Sequence, residues 1–529
     1  MRARPVPSID GVLRTALLVL ATGLLAGGLL IAGFYATRFA LAMTVGIAAA
    51  FIGFLIAGNH RLFCLYGIII LAPLALGKHF ILNPHMGGAS SFVIDAVDPL
   101  MLVLLGFQLR DVAEGRSRWT ITPMAKWVAG LMALGLVNVA IGPMRMLSLQ
   151  EVVRIAKGFL LFFIIVNEVV RERQMMHALA AMIAAVVAQS AMGVVQGFFK
   201  ISLGLQALGE ADFETIQQTA KATYLGIGAS FGFRSNALLG HPNLLSVFLA
   251  MQLPICIALM FSRLSAFVRT LLGGAVVVGS AALMMTLSRS GWLSFGTAVV
   301  LLFALSFVHP RLQRRYLFAR VVAIAFMVIV IASFSGAIIR RFVDSDPGAV
   351  NFRLEWNRAA WGMVWERPLL GFGLNTFVFH LPGRTEYGGA TGLNEALGKT
   401  WPVVHNIYLL TWSEQGTLGI LSLFGMFASI FAAAIRNIRR YYSDVLFAVN
   451  LGALCGMVAL CIDGLASFYM RVPAASRMFW VIAALVFIID NWNRANAARF
   501  QPSPPTPPAP IPPAPIRASP ETPGSPAAA

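Results

Sequence analysis

Apolar runs of about 16 to 25 residues alternate along the chain with short arginine-bearing turns, and each run is long enough to cross a lipid bilayer as a helix. The pattern predicts about twelve to fourteen such helices. Their approximate positions are 12–33, 39–57, 63–77, 94–109, 125–142, 153–170, 175–198, 243–261, 270–287, 291–308, 321–339, 404–434, 444–464 and 476–490. Two polar stretches are far longer than the rest, at about 199–242 and 340–403. Within the second, Arg353, Trp356, Ala360, Met363 and Val364 recur at helical spacing. An amphipathic helix lying over the membrane face is expected there, ended by Pro368 and Gly371, so this loop is partly helical.

Composition supports the class. Of the 529 residues, 58% are hydrophobic and 12% charged, and the mean hydropathy is +0.77. No ordinary soluble core hides that much apolar surface, so the chain is expected to be an all-α polytopic membrane protein. The net charge of +18 does not point to nucleic acid, because the arginines sit in clusters between apolar runs. Arg2, Arg4 and Arg14, then Arg110, Arg116 and Arg118, Arg171 and Arg173, Arg263 and Arg269, Arg311, Arg314, Arg315 and Arg320, and finally Arg436, Arg439 and Arg440 all fall on one side by counting spans. That side should be cytoplasmic, with both termini, and the two long loops should then be periplasmic. The first apolar run lacks a clear cleavage site and is read as an uncleaved span. Residues 1–490 form the membrane domain in this reading, and the proline-rich residues 491–529 form a disordered cytoplasmic tail. The four cysteines lie in apolar segments without metal-ligand spacing, so neither a disulfide framework nor a metal is expected.

Four polar constellations fall on the side opposite the arginine clusters. The first is Arg234-Ser235-Asn236 followed by Gly240-His241-Pro242-Asn243, where a helix start either offers amides to an anion or is closed by its own histidine. The second is the turn Ser288-Arg289-Ser290-Gly291-Trp292. Its arginine either snorkels to the interface or grips phosphate oxygens, and Trp292 is read as an interface anchor. In the amphipathic segment, Arg353 and Arg358 face a pyrophosphate or lipid headgroups, with Glu355 and Glu366 available to quench them. The fourth is His405-Asn406, followed by Glu414, Gly416 and Gly419. An imidazole here titrates near neutral pH, and Glu414, nine residues on, points away from it. Asn406 or a backbone group remains to orient the ring.

The order of these elements resembles the O-antigen ligase and Wzy-type polymerase superfamily: an Arg and His-Pro-Asn segment before a span, Ser-Arg-Ser-Gly-Trp, then Arg-x2-Trp and Pro-x2-Gly-x-Gly-x-Asn-x-Phe, then His-Asn-x-Tyr-Leu with Glu-x-Gly-x2-Gly. The resemblance covers about residues 230–430. It implies transfer of a glycan from undecaprenyl pyrophosphate to an acceptor hydroxyl on the periplasmic face of a bacterial inner membrane, without cofactor, metal or nucleotide sugar. Polymerisation of O-antigen or exopolysaccharide repeats, ligation to lipid A-core, and transfer to protein remain open as acceptor reactions. Under the resemblance His405 is the general base. Arg289 and Arg353 bind phosphate and Arg234 supports them, with His241, Asn243, Ser288 and Asn406 as further substrate-binding candidates. A lipid-linked sugar flippase is the competing class, and it predicts ionisable groups near the bilayer midplane.

Overall fold

The computed structural model describes residues 52–74, 76–83, 87–211, 233–308, 336, 347–381, 384, 403–440 and 443–496. The expected spans at 12–33 and 321–339, most of 39–57, much of both long loops and the proline-rich tail from 497 lie outside the described residues. The rest is predominantly helical. In chain order the helices are α1 (His60–Leu71), α2 (Val97–Ala113), α3 (Ala125–Ile141), α4 (Arg145–Glu168), α5 (Glu172–Phe199), α6 (Pro242–Met260), α7 (Ala266–Met285), α8 (Arg289–Val308), α9 (Pro347–Glu366), α10 (Phe377–His380), α11 (Ile407–Arg439), α12 (Asp444–Asp463) and α13 (Pro473–Ala495). Seven of them, α5 to α8 and α11 to α13, are long and apolar enough to cross a membrane. Eleven of the expected spans coincide with a helix.

Three departures from the expected pattern have physical causes. Helix α1 stops at Leu71 because Pro73 follows its C-cap Ala72 and cannot continue the ladder. The all-α expectation is corrected by a two-stranded antiparallel hairpin, β1 (Gly77–Phe80) with β2 (Phe92–Asp95). Its four-residue strands pair Phe80 with Phe92 and His79 with Val93, a pattern too short to show beside long apolar runs. Helix α4 begins at Arg145, well before the expected 153, although its first turns carry Gln150, Glu151, Arg154 and Lys157. Those groups are buried or half-buried in pairs: Arg154 with Glu151, and Lys157 with Asp95 and Asp98 at 2.8 and 2.7 Å. Internal pairing lets charged residues occupy a helix that composition alone reads as loop.

Helices α6 and α13 form the interior of the bundle. Of their apolar stretches 89% and 94% is buried, against 39% for α8 among the described residues. Helix α6 packs most extensively on α12, and the approach is close because Gly452 and Gly456 of α12 lie on the α6 backbone. A Cβ on Gly456 would stand 2.1 Å from the Met251 carbonyl oxygen, and one on Gly452 would stand 2.4 Å from the Ile255 Cα. This is the small-x3-small contact by which membrane helices pack without a hydrophobic driving force. Gly456→Leu is expected to force α6 and α12 apart and lower the thermal unfolding midpoint in detergent; an unchanged midpoint contradicts this packing.

The two ends of the bundle differ in chemistry. At one end the basic turns are joined by Arg263 to Asp444 at 2.5 Å, Ser443 to Glu172 at 3.0 Å and Arg436 to Asp490 at 2.9 Å. The opposite end, where α6, α8, α11 and α13 start and α7 and α12 finish, carries the polar segments around Arg234, Ser288 and His405.

Candidate active site

Arg234 assembles the first wall. Its Nε donates to the Thr286 carbonyl at 2.8 Å and its Nη2 donates to Asn243 Oδ1 at 2.6 Å. One guanidinium thus joins the start of α6 to the end of α7. After Thr286 the chain turns through Leu287 at φ 51°, a left-handed corner that a leucine adopts only at a cost. The corner brings the buried Ser288 and then Arg289 to the start of α8. Ser288 Oγ lies 3.4 Å from Ser290 Oγ, and the buried carboxyl of Asp463 at the end of α12 accepts from Ser467. The Trp292 indole donates to the Leu283 carbonyl at 3.1 Å, which ties α8 back to α7.

His241 caps α6 with its own ring. Its Nδ1 accepts the Asn243 N–H at 3.1 Å, in the place an anion would take at that amide. Asn243 Nδ2 donates to the Tyr469 hydroxyl at 2.9 Å, so the helix start, Arg234 and the turn at Tyr469–Arg471 form one hydrogen-bonded unit. Burial, then the charges of Arg234 and His405, push His241 down to about 3. It is neutral at physiological pH.

His405 lies just before α11. Its Nδ1 is 2.9 Å from the Val403 carbonyl oxygen. A carbonyl only accepts, so Nδ1 carries the proton and Nε2 keeps its lone pair. Trp356 of α9 stacks nearly parallel to the ring, with centroids 5.8 Å apart at 16°, and Phe468 meets it edge-on at 5.4 Å. Burial first, and the nearby Arg353 cation second, lower His405 to about 3. Asn406 does not orient this imidazole. Its Oδ1 accepts the N–H groups of Tyr408 and Leu409 and caps α11, which leaves orientation to the Val403 backbone.

Helix α9 presents Trp356, Ala360, Met363 and Val364 inward, the face expected from their spacing. Arg353 is half-buried at the edge of this face, close enough to influence His405, Asp463 and Tyr469. Among the described residues it makes no hydrogen bond or ion pair. Glu366 pairs with Arg384 rather than with the arginines of its own helix, and Arg358 is exposed.

The two glycine-rich motifs hold each other. Helix α11 is broken at Gly416, with φ 64° and ψ −166°, and a Cβ there would stand 2.2 Å from the Leu369 carbonyl carbon. Across this contact the Phe372 and Gly373 N–H groups donate to the Ser413 and Glu414 carbonyls at 3.0 and 2.9 Å, and Thr417 N–H donates to the Pro368 carbonyl at 2.7 Å. The Glu414 carboxylate accepts from the amides of Asn375 and Phe377 and pairs with the buried Arg471 at 2.5 Å. It is committed to the scaffold behind the site.

The structure therefore brings Arg234, His241, Asn243, Ser288, Arg353 and His405 to one end of the bundle, with Arg289 and Asn406 at adjoining helix starts. Sequence reading missed Asp463, Phe468 and Tyr469. Their signal was weak: a short turn, Gly464-Leu-Ala-Ser-Phe-Tyr-Met-Arg, on the same side of the chain by span count. Chemically the cluster offers a neutral imidazole nitrogen beside a guanidinium that makes no hydrogen bond or ion pair among the described residues, with the Asp463 carboxyl near enough to feel its charge. That combination suits deprotonation of a hydroxyl next to an anionic group. No curated protein matches the chain. Residues 274–424, which include Ser288, Arg289, Arg353, His405 and Asn406 but not Arg234, His241 or Asn243, match the O-antigen ligase family model.

Proposed function

We propose that this protein is an inverting membrane glycosyltransferase that moves a glycan from undecaprenyl pyrophosphate to an acceptor hydroxyl at the periplasmic face of a bacterial inner membrane. The observation that carries the reading is the His405 and Arg353 pair: a neutral imidazole with its Nε2 lone pair available beside a guanidinium that makes no hydrogen bond or ion pair among the described residues. The acceptor oxygen attacks the anomeric carbon, the bond from that carbon to the pyrophosphate oxygen breaks, and the electron pair leaves with the pyrophosphate. His405 Nε2 takes the hydroxyl proton. Arg353, with Arg289 and Arg234, meets the charge on the leaving group. Burial and then Arg353 depress the imidazole, and a bound pyrophosphate offsets the second of these. Donor binding therefore raises the basicity of His405 at the step that needs it. Among the described residues no pair of carboxylates flanks His405 for a covalent glycosyl intermediate, and direct displacement gives inversion.

Against a lipid-linked sugar flippase stands the placement of these groups at one end of the bundle rather than midway along it. The favoured acceptor is a second lipid-linked repeat, as in polymerisation of O-antigen or exopolysaccharide, with lipid A-core and protein as the alternatives. Profiling the surface glycans of a deletion strain separates them. Loss of long polymer with single repeats retained supports polymerisation, unextended core lipid supports ligation, and unmodified protein supports protein transfer. Unchanged glycans in all three fractions overturn the reading.

A further inference from the structure

A cavity of about 150 Å³ lies apart from the imidazole site, between the β1–β2 hairpin, α2, α4 and the start of α13. It takes roughly 10 to 15 Å³ of such space to seat one water, so this volume matches about ten heavy atoms, the size of a single sugar ring. Its charges are already balanced. Lys157 is held by Asp98 and Asp95, Arg477 by Asp95 at 2.5 Å, and Arg154 by Glu151 at 2.5 Å. A charged ligand entering here would have to break one of these buried pairs. A neutral ligand with many hydroxyls would not, since it takes up the donor and acceptor positions that the pairs leave unused.

One such position is explicit. Gln150 is 1% exposed and lines the cavity; its Nε2 donates to the Ile81 carbonyl at 2.8 Å, but its Oε1 has no hydrogen-bond partner. An acceptor buried without a donor costs stability that a ligand hydroxyl would recover. The remaining walls include Val97, Met101, Val153 and Leu161, an apolar surface of the kind that the C–H face of a pyranose covers.

The cavity also shares a wall with the catalytic frame. Gly88 and Ala89 line it, Ala89 N–H donates to Glu151 at 2.9 Å, and Asn375 Nδ2 donates to the Ala89 carbonyl at 2.7 Å. Next to them, Gly87 lies so close to Val403 that a Cβ would stand 2.7 Å from its side chain. Val403 is the residue whose carbonyl fixes the His405 tautomer.

We propose that this cavity is a saccharide subsite that holds one uncharged sugar residue of the glycan, through Gln150 and the paired polar groups of α4 and α13, while transfer occurs at His405. The proposal rests on the glycosyl-transfer reading. The glycan it holds comes either from the lipid-linked donor or from the acceptor, and kinetics separate the two. Full-length protein in nanodiscs is assayed with the host cells' lipid-linked donor and their natural acceptor, each varied with the other saturating. Gln150→Leu removes the unpartnered oxygen, and Ser90→Phe fills the half-buried lining instead, so the test survives if either variant folds poorly by thermal unfolding. A rise of about tenfold in KM for one substrate, with kcat within about twofold of wild type, is expected from losing a hydrogen bond to the sugar. The KM that moves identifies the source. Both KM values within about twofold of wild type in a folded variant overturn the subsite while leaving glycosyl transfer intact. Absence of transfer by the wild-type protein itself counts against the enzymatic reading and removes this proposal with it.

Discussion

Replacing His405 with alanine should lower the transfer rate by about 10²- to 10⁴-fold at saturating donor, the range that a positioned general base supplies. Donor affinity should stay within about twofold of wild type. The separation follows from the geometry. The imidazole is held through Nδ1 by the Val403 backbone and packed between Trp356 and Phe468, so its loss leaves a gap beside the arginines without moving their anchors. Arg234 is tied to Thr286 and Asn243, and Arg353 belongs to a helix packed through Trp356, Ala360 and Met363. His405→Gln retains much of the shape but not the basicity and should fall as far as alanine in rate. A glutamine variant with wild-type turnover would reduce His405 to a packing residue.

Arg353→Ala should act in two ways that can be read separately. Loss of a charge-assisted contact to pyrophosphate, about 1.5 to 3 kcal/mol, predicts donor affinity weaker by about 10- to 150-fold. Loss of the same cation also removes one of the two influences that lower His405 to about 3. The sign is fixed: without Arg353 the imidazole moves up toward its ordinary value of 6.5. Protonation then disables the base at higher pH than in wild type. In kcat/KM profiles, which report the free enzyme, the acid limb of the alanine variant should lie to the right of the wild-type limb. Arg353→Lys keeps the charge and loses the planar fork, so its donor affinity should drop while its acid limb stays near that of wild type. An alanine variant with unaltered affinity and an unmoved limb would separate Arg353 from both the donor and the base.

Much of this architecture was legible because lipid imposes a simple grammar. Apolar length locates helices and arginine clusters mark one side, and the structure joins three of those clusters at one end through Arg263, Glu172 and Arg436. The grammar failed where chemistry inside the bundle overrode composition. Residues 145–152 read as loop because they are polar, yet Ser148, Gln150 and Glu151 are buried in the first turns of α4. The hairpin at 77–95 was hidden because four-residue strands carry little periodic signal.

The site was legible in part. His241 and Asn406 precede helices and cap them, as short polar residues before an apolar run often do. That Glu414 points away from His405 followed from nine-residue spacing, and the structure shows where it goes, to Arg471 and the amides of Asn375 and Phe377. Asp463, Phe468 and Tyr469 were not legible as neighbours of His405 and Arg353. They come from a turn more than fifty residues away in sequence, and only the packing of α12 against α6 and α8 returns them to the same end.

The most direct test of the central claim is reconstitution of the purified full-length protein in nanodiscs with an undecaprenyl-pyrophosphate-linked glycan and, in parallel, lipid-linked repeat, core lipid and protein acceptors. The account predicts a new glycosidic bond of inverted anomeric configuration on one of them, with one undecaprenyl pyrophosphate released per bond, and no such product from His405→Ala. Equal product from wild type and His405→Ala, or no bond formed on any of the three acceptors, would contradict it.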